Sequence, residues 1–117
     1  MNDLNLPTAE EVIQAYRQTG LKPATLHAEP REGTCCALGV LGSLKGLDIR
    51  EFRTLTLFAQ EAGVAGDSLR FALGFDGAGA SQHWSPNERA AYEHGRTVHT
   101  ACRAEFGEFS FYGPCNA

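Results

Sequence analysis

A chain of 117 residues, 43% hydrophobic and 21% charged, is long enough for one hydrophobic core and too apolar for intrinsic disorder, so a single domain over 1–117 is expected. Its 14 acidic and 10 basic side chains leave a formal charge of −4 and form no lysine or arginine cluster able to neutralise a run of phosphates, which argues against a nucleic-acid partner. No apolar run approaches a membrane span, and MNDLNLPTAEE has neither the basic nor the apolar region of a secretory signal. The expectation is therefore a cytoplasmic protein with no membrane association, its cysteines mostly free thiols.

Helix punctuation is the clearest signal along the chain. Thr8 to Glu11 forms a capping box, and Ala9, Val12, Ile13 and Tyr16 then follow the i, i+3, i+4, i+7 spacing of one apolar helix face up to Gly20. Residues 21 to 33, with two prolines and no periodicity, read as a loop with a short turn near Ala24 to Ala28. Thr34 then caps a second helix from Cys35 to about Lys45, stopped by Gly46. Gly39, Gly42 and Gly46 make a smooth stripe on it, beside an apolar face of Leu38, Leu41 and Leu44. A helix so rich in glycine depends on packing, so a central position is predicted.

Asp48 with Glu51, and Leu47 with Phe52, match a capping box and a hydrophobic staple, predicting a third helix to Ala62 stopped by Gly63. The alternation of Thr54 to Leu57 is the competing pattern of a short strand over 53–58. Asp67 caps a fourth helix through Leu73, closed by the glycine-rich stretch Gly74 to Gly79. Ser85, Pro86 and Glu88 open a fifth and longest helix, whose stripe of Ala91, Gly95, Val98, Cys102 and Phe106 faces the core. Gly95 is predicted to pack near the glycine stripe of the second helix. Arg89, Arg96 and Arg103 share a face with Glu88, Glu93 and Glu105 interspersed, the pattern of a solvated mixed-charge surface. Phe109 and Phe111 alternate in the tail, the mark of an extended segment over 109–112. The fold class is accordingly all-α, a single domain of about five helices with a short extended C-terminal segment.

Three groups of residues bear on chemistry. Cys35 and Cys36 fall in the first turn of a predicted helix, where the dipole and free N–H groups favour a thiolate; His99 or His83 would be the base and Asp76 or Glu88 its orienting group. Against this, the flanking residues lack papain-like or caspase-like signatures, and cysteine is among the most buried residue types. His99 and Cys102, with Cys115 or Cys35, would make a tetrahedral metal set, but the paired ligand spacings of structural zinc are missing, so no metal and no cofactor is expected. His83 and Trp84 stand before the fifth helix, where the indole is either a binding anchor or a cover for the helix start. The phrases Cys-Cys-Ala-Leu-Gly and Gly-Phe-Asp-Gly are similar to those of small bacterial and phage proteins, a resemblance that implies no mechanism.

The reading that emerges is a small acidic helical protein acting without catalysis through protein–protein contact, as regulator, inhibitor or adaptor, with a second copy of itself as one partner. Its motive is the third helix, where Phe52, Leu55, Phe58, Ala59 and Ala62, with Leu57 beside them, spread apolar residues wider than a core-facing stripe requires. Phe58, Leu57, Trp84 and His83 are the binding candidates. The alternatives are a cysteine-dependent enzyme using Cys35 or Cys36 with His99, and a metal-binding structural domain.

Overall fold

The computed structural model describes residues 4–109. Helices α1 (Ala9–Thr19), α2 (Ala37–Leu44), α3 (Leu55–Glu61), α4 (Ser68–Asp76) and α5 (Pro86–Phe106) dominate the fold, which is mainly α-helical. The only strands among the described residues, β1 (Lys22–Pro23) and β2 (Thr34–Cys35), pair in parallel, and a 3₁₀ turn covers Ile49–Glu51. The predicted extended segment over 109–112 lies outside the described residues except for Phe109.

The caps act where the sequence places them. Thr8 and Glu11 exchange side-chain-to-backbone hydrogen bonds of 3.1 and 2.8 Å at the start of α1, and Ser85 and Glu88 do the same at α5, where Pro86 takes the first helical position. Gly20 closes α1 in the left-handed region at φ 78°. From α1, Val12, Ile13, Ala15 and Tyr16 enter the core, meeting Leu38 and Val40 of α2, Phe71 and Phe75 of α4, and Val98 and Cys102 of α5.

Several boundaries differ from expectation. Cys35 belongs to β2 and not to a helical turn, because Ala24 N–H donates to its carbonyl at 3.0 Å and holds residue 35 extended. The loop between the strands turns back through Glu32 and Gly33, both at positive φ, with Arg31 and Thr34 exchanging two 2.9 Å bonds. α2 therefore begins at Ala37 with Cys36 as its N-cap. The third predicted helix is broken, since Asp48 caps only the 3₁₀ turn and Thr54 supplies a second cap that starts α3, accepting from Leu57 N–H at 3.1 Å. Between them Phe52 is extended and turns its ring edge to Phe58, with centroids 5.5 Å apart. Residues 55–58 are helical, which rules out the strand reading there.

α4 continues past Leu73 to Asp76, and its true stop is Gly77 at φ 80°. Gly74 is thus an interior residue of α4, and its role is contact. A Cβ on Gly74 would collide with the Tyr92 carbonyl of α5, and one on Gly95 would collide with the Phe71 carbonyl of α4. Gly95 therefore packs against α4 and not against the glycine stripe of α2, as had been expected. That stripe has other neighbours: Gly39 abuts the Ala28 carbonyl and Gly42 the Phe58 ring, so both are buried while Leu44 is left exposed.

Alanine at position 95 would normally gain up to about 1 kcal/mol of helix propensity. Here Gly95→Ala is expected to destabilise the protein by about 2 kcal/mol or more, because two backbones must separate. Gly79→Ala, where nothing lies within 4 Å of the added carbon, serves as control and should be near neutral. Denaturant unfolding that ranks the two variants as equals would refute the close crossing.

Candidate functional site

The residues proposed for thiol chemistry meet at the N-terminal end of α2. Cys36 N–H donates to the His27 carbonyl at 2.8 Å, which ties the 24–33 loop to the helix start. From the end of α4, Asp76 accepts the Leu26 N–H at 3.0 Å on the same loop. His99 of α5 stands edge-on to Phe75, with Nδ1 2.6 Å from the Phe75 carbonyl. A carbonyl only accepts, so Nδ1 is the donor in this contact. His27 likewise directs Nε2 to the Thr34 carbonyl and hydroxyl, at 3.1 and 3.2 Å. Asp76 acts electrostatically on Cys36, His99 and His27 alike. Of the expected candidates, Cys36, His99 and Asp76 therefore do share a neighbourhood. His83, exposed near the start of α5, and Glu88, paired with Arg70 at 2.8 Å, do not belong to it.

The electrostatics of this neighbourhood oppose a nucleophile. Burial pushes the Cys36 thiol up to about 12, outweighing the opposite pull of the Gly39 and Leu38 amides at the helix start. Burial likewise raises Cys35 to about 12, with the neighbouring Cys36 adding to it, and raises Cys102 to about 12. Thiolate is the attacking form, and a raised thiol pKa disfavours it at neutral pH. His99 is covered too, since the Phe109 ring lies 4.5 Å from it and stacks on Phe75 at 5.6 Å. The Cys35 carbonyl is taken up by the buried Tyr16 hydroxyl at 2.7 Å, so this cysteine contributes a strand and a packing surface.

Metal binding finds no support in the geometry. Among the described residues no three His, Cys, Asp or Glu side chains are grouped to hold an ion. Cys102 is fully buried and His99 spends Nδ1 on a carbonyl; Cys115 lies outside the described residues. A cleft of about 530 Å³ between residues 5–8 and 62–65 contains none of the chemical candidates, and Glu11 on its wall is already engaged in the α1 capping box. No helix among the described residues is long and apolar enough to cross a membrane.

The binding candidates divide. Phe58 is buried, inserted between Gly42 and Phe52, and is unavailable to a partner; Ala59 and Ala62 are buried with it. The surplus that the sequence suggested on the third helix is mostly core, because α3 is only seven residues long and tucks its wide apolar face under α2. Leu57 alone points outward, 44% exposed. Trp84 is half-buried, 5.2 Å from the Tyr92 ring and 5.8 Å from the Arg70 guanidinium. It covers the start of α5, with Tyr92 and Arg70 as partners, while Arg89 donates to the Ser81 carbonyl at 3.2 Å.

An apolar surface missed in the sequence lies on α4. Leu69 and Leu73 are 45% and 38% exposed, one turn apart on the face opposite Phe71, Gly74 and Phe75. Asp76 continues that face, and its carboxylate holds Leu26, itself 47% exposed and at φ 75°. A leucine in the left-handed region is strained, and this one is held there by a half-buried carboxylate. The signal was present as the i, i+4 pair Leu69 and Leu73 within the predicted fourth helix, but which face of that helix turns outward is set by the burial of Phe71, Gly74 and Phe75.

No protein-family model, curated protein or solved structure matches the chain.

Two outcomes follow from the thiol and carboxylate environments. In a Cys115→Ser variant, Cys35, Cys36 and Cys102 should react with a disulfide reagent only as fast as the protein unfolds; one thiol titrating in the native state below the ordinary cysteine range would restore the enzyme reading. Burial raises Asp76 above the usual carboxylate value, so the folded chain binds this proton more tightly than the unfolded chain. The ionised group is then a cost at neutral pH that is relieved as pH falls through its folded value. Asp76→Asn keeps an acceptor for Leu26 and should be more stable than the wild type at neutral pH, with the advantage lost in acid. Melting curves across pH check this, and an advantage that grows towards low pH would contradict it.

Proposed function

We propose that this is a non-enzymatic interaction protein, a small acidic helical domain that docks a protein partner, or a second copy of itself, through the outer face of α4. The observation that carries the reading is the exposed leucine set of Leu26, Leu69 and Leu73. Single exposed leucines are ordinary, whereas neighbouring ones on a surface helix mark contact sites. Water-facing leucines add nothing to the core, and the strain at Leu26 adds a cost that folding alone does not require. The buried, high-pKa cysteines support the same reading from the other side by weighing against thiol catalysis.

The test uses Leu73→Glu. A surface substitution of this kind should change stability by no more than about 0.5 kcal/mol. Removing a leucine from a buried interface should nonetheless weaken association by about tenfold or more. Sedimentation equilibrium over a wide concentration range reads the self-associating case directly. A photo-crosslinker placed at Leu73 in cells, with exposed Gln60 as control position, reads the case of a different partner. A protein that stays monomeric and gives no discrete adduct at Leu73 beyond that at Gln60 would sink the proposal.

A further inference from the structure

The long helix α5 carries two stripes, of which the fold uses one. Ala91, Gly95, Val98 and Cys102 are buried against the core. On the opposite side Ala90, Glu93, Thr97, Thr100 and Ala104 follow the alternating three-and-four spacing of a heptad seam; Ala90 is half-buried and the other four are exposed among the described residues. Around this seam Glu93, Arg96, Thr97, Thr100, Ala101 and Ala104 line a shallow groove of about 450 Å³. Its floor is small side chains, so it offers holes and few knobs.

Along one flank run Arg89, Arg96 and Arg103, each seven residues after the last and so about 10.5 Å apart on the helix axis. In heptad terms every one occupies the position that pairs with a charged residue of a partner helix. The fold draws two of the helix's acidic residues away from this ridge. Glu88 is turned to α4, where Arg70 holds it at 2.8 Å, and Glu105 is turned to α1, where it pairs with Arg17. Of the mixed-charge face expected from the sequence, Glu93 alone stays among the arginines, acting on Arg96. Arg103 is offset by Glu108, but Arg89 and Arg96 make no ion pair among the described residues; they donate to the Ser81 carbonyl and the Tyr92 hydroxyl. In a chain of net charge −4 this is a cationic ridge beside an open seam.

We infer that the outer face of α5 receives an acidic amphipathic helix from a different protein, with leucine-sized side chains entering the small-residue groove and Asp or Glu facing the arginine ridge. Charge argues against a second copy. In an antiparallel pair of α5 helices the arginine ridges would face each other, and in a parallel pair they would face Asn87, His94 and Ala101, none of them acidic. Glu93 sits in the seam itself, and the partner residue opposite it must be polar or basic, which fixes register. This surface is separate from the α4 leucines and does not rest on them.

The probe is a designed three-heptad peptide with leucine at both seam positions and glutamate at both flanks, whose own charge keeps it from pairing with itself. Titrated against the full chain at low salt, it should bind, and its lysine-flanked counterpart should bind about tenfold more weakly or worse. Arg96→Glu should weaken the glutamate peptide by about tenfold. Thr97→Glu, which leaves every arginine in place, should weaken it as well, and Glu93→Ala should strengthen it. Leu73→Glu on α4 should leave binding unchanged, so a failure of the α4 proposal is read separately. All four positions are at the surface, and circular dichroism verifies that each variant folds. No binding, or binding indifferent to both Arg96→Glu and Thr97→Glu, overturns the inference. So does tighter binding of a short single-stranded oligonucleotide that competes with the peptide, which would make the ridge a phosphate site.

Discussion

The α4–α5 crossing is the contact on which the remaining structure depends. Two glycines, one on each helix, let each backbone rest against a carbonyl of the other, Gly74 against Tyr92 and Gly95 against Phe71. At that separation Phe71 and Phe75 have no room to lie between the helices and are driven into the core beside Val98 and Cys102. Among the described residues no element then covers the opposite face of α4, which is why Leu69 and Leu73 are exposed there. The same crossing delivers the end of α4 to the 24–33 loop, where Asp76 grips Leu26. Close helix packing, the placing of a half-buried carboxylate and the display of a leucine face are thus consequences of one contact.

That arrangement also sets the electrostatics of a helix start with two adjacent cysteines against a reactive thiolate. A thiolate needs its helix N–H groups together with water or a cation to sustain the charge. Here the helix amides are present, but α2 lies at the centre of the domain, and burial outweighs them at Cys36. Asp76 adds negative potential where an activated thiol would require positive. The cysteines are small, dense fillers around the Tyr16 hydroxyl, whose bond to the Cys35 carbonyl satisfies two buried polar groups at once.

What was legible in the sequence was local. The boxes Thr8–Glu11 and Ser85–Glu88 and the apolar spacing of α1 and α5 involve residues within a turn or two of each other, and they stand as expected. Errors arose where a residue's role is set by a distant neighbour. Gly74 resembles a helix stop because Gly77 and Gly79 follow it, yet the carbonyl of Tyr92, eighteen residues on, makes it an interior contact. Asp48 and Thr54 are both competent caps, and the sequence around them does not show that Phe52 must leave the helix to reach Phe58. The same contact removes Phe58 from the surface, so the binding candidate closest in sequence to Leu57 is part of the core. The meeting of Cys36, Asp76 and His99 was foreseeable as residue types, but its electrostatic sense was not, because burial is a property of the assembled domain.

Charge follows the same logic as packing. Along α5 the sequence alternates arginine and glutamate closely enough to suggest a self-neutralising surface. Folding sorts them in part, since Glu88 and Glu105 find Arg70 and Arg17 on neighbouring elements, while the arginines lie on the outer half with Glu93 among them. Partly exposed pairs of this kind contribute little stability individually, about 0–1 kcal/mol each. Their larger effect is on the surface left behind, because each glutamate turned inward leaves an arginine without its local counter-charge. An acidic chain can in this way present a cationic helix face without any basic cluster in its sequence, and a scan of composition alone misses the attraction such a face exerts on an acidic helix.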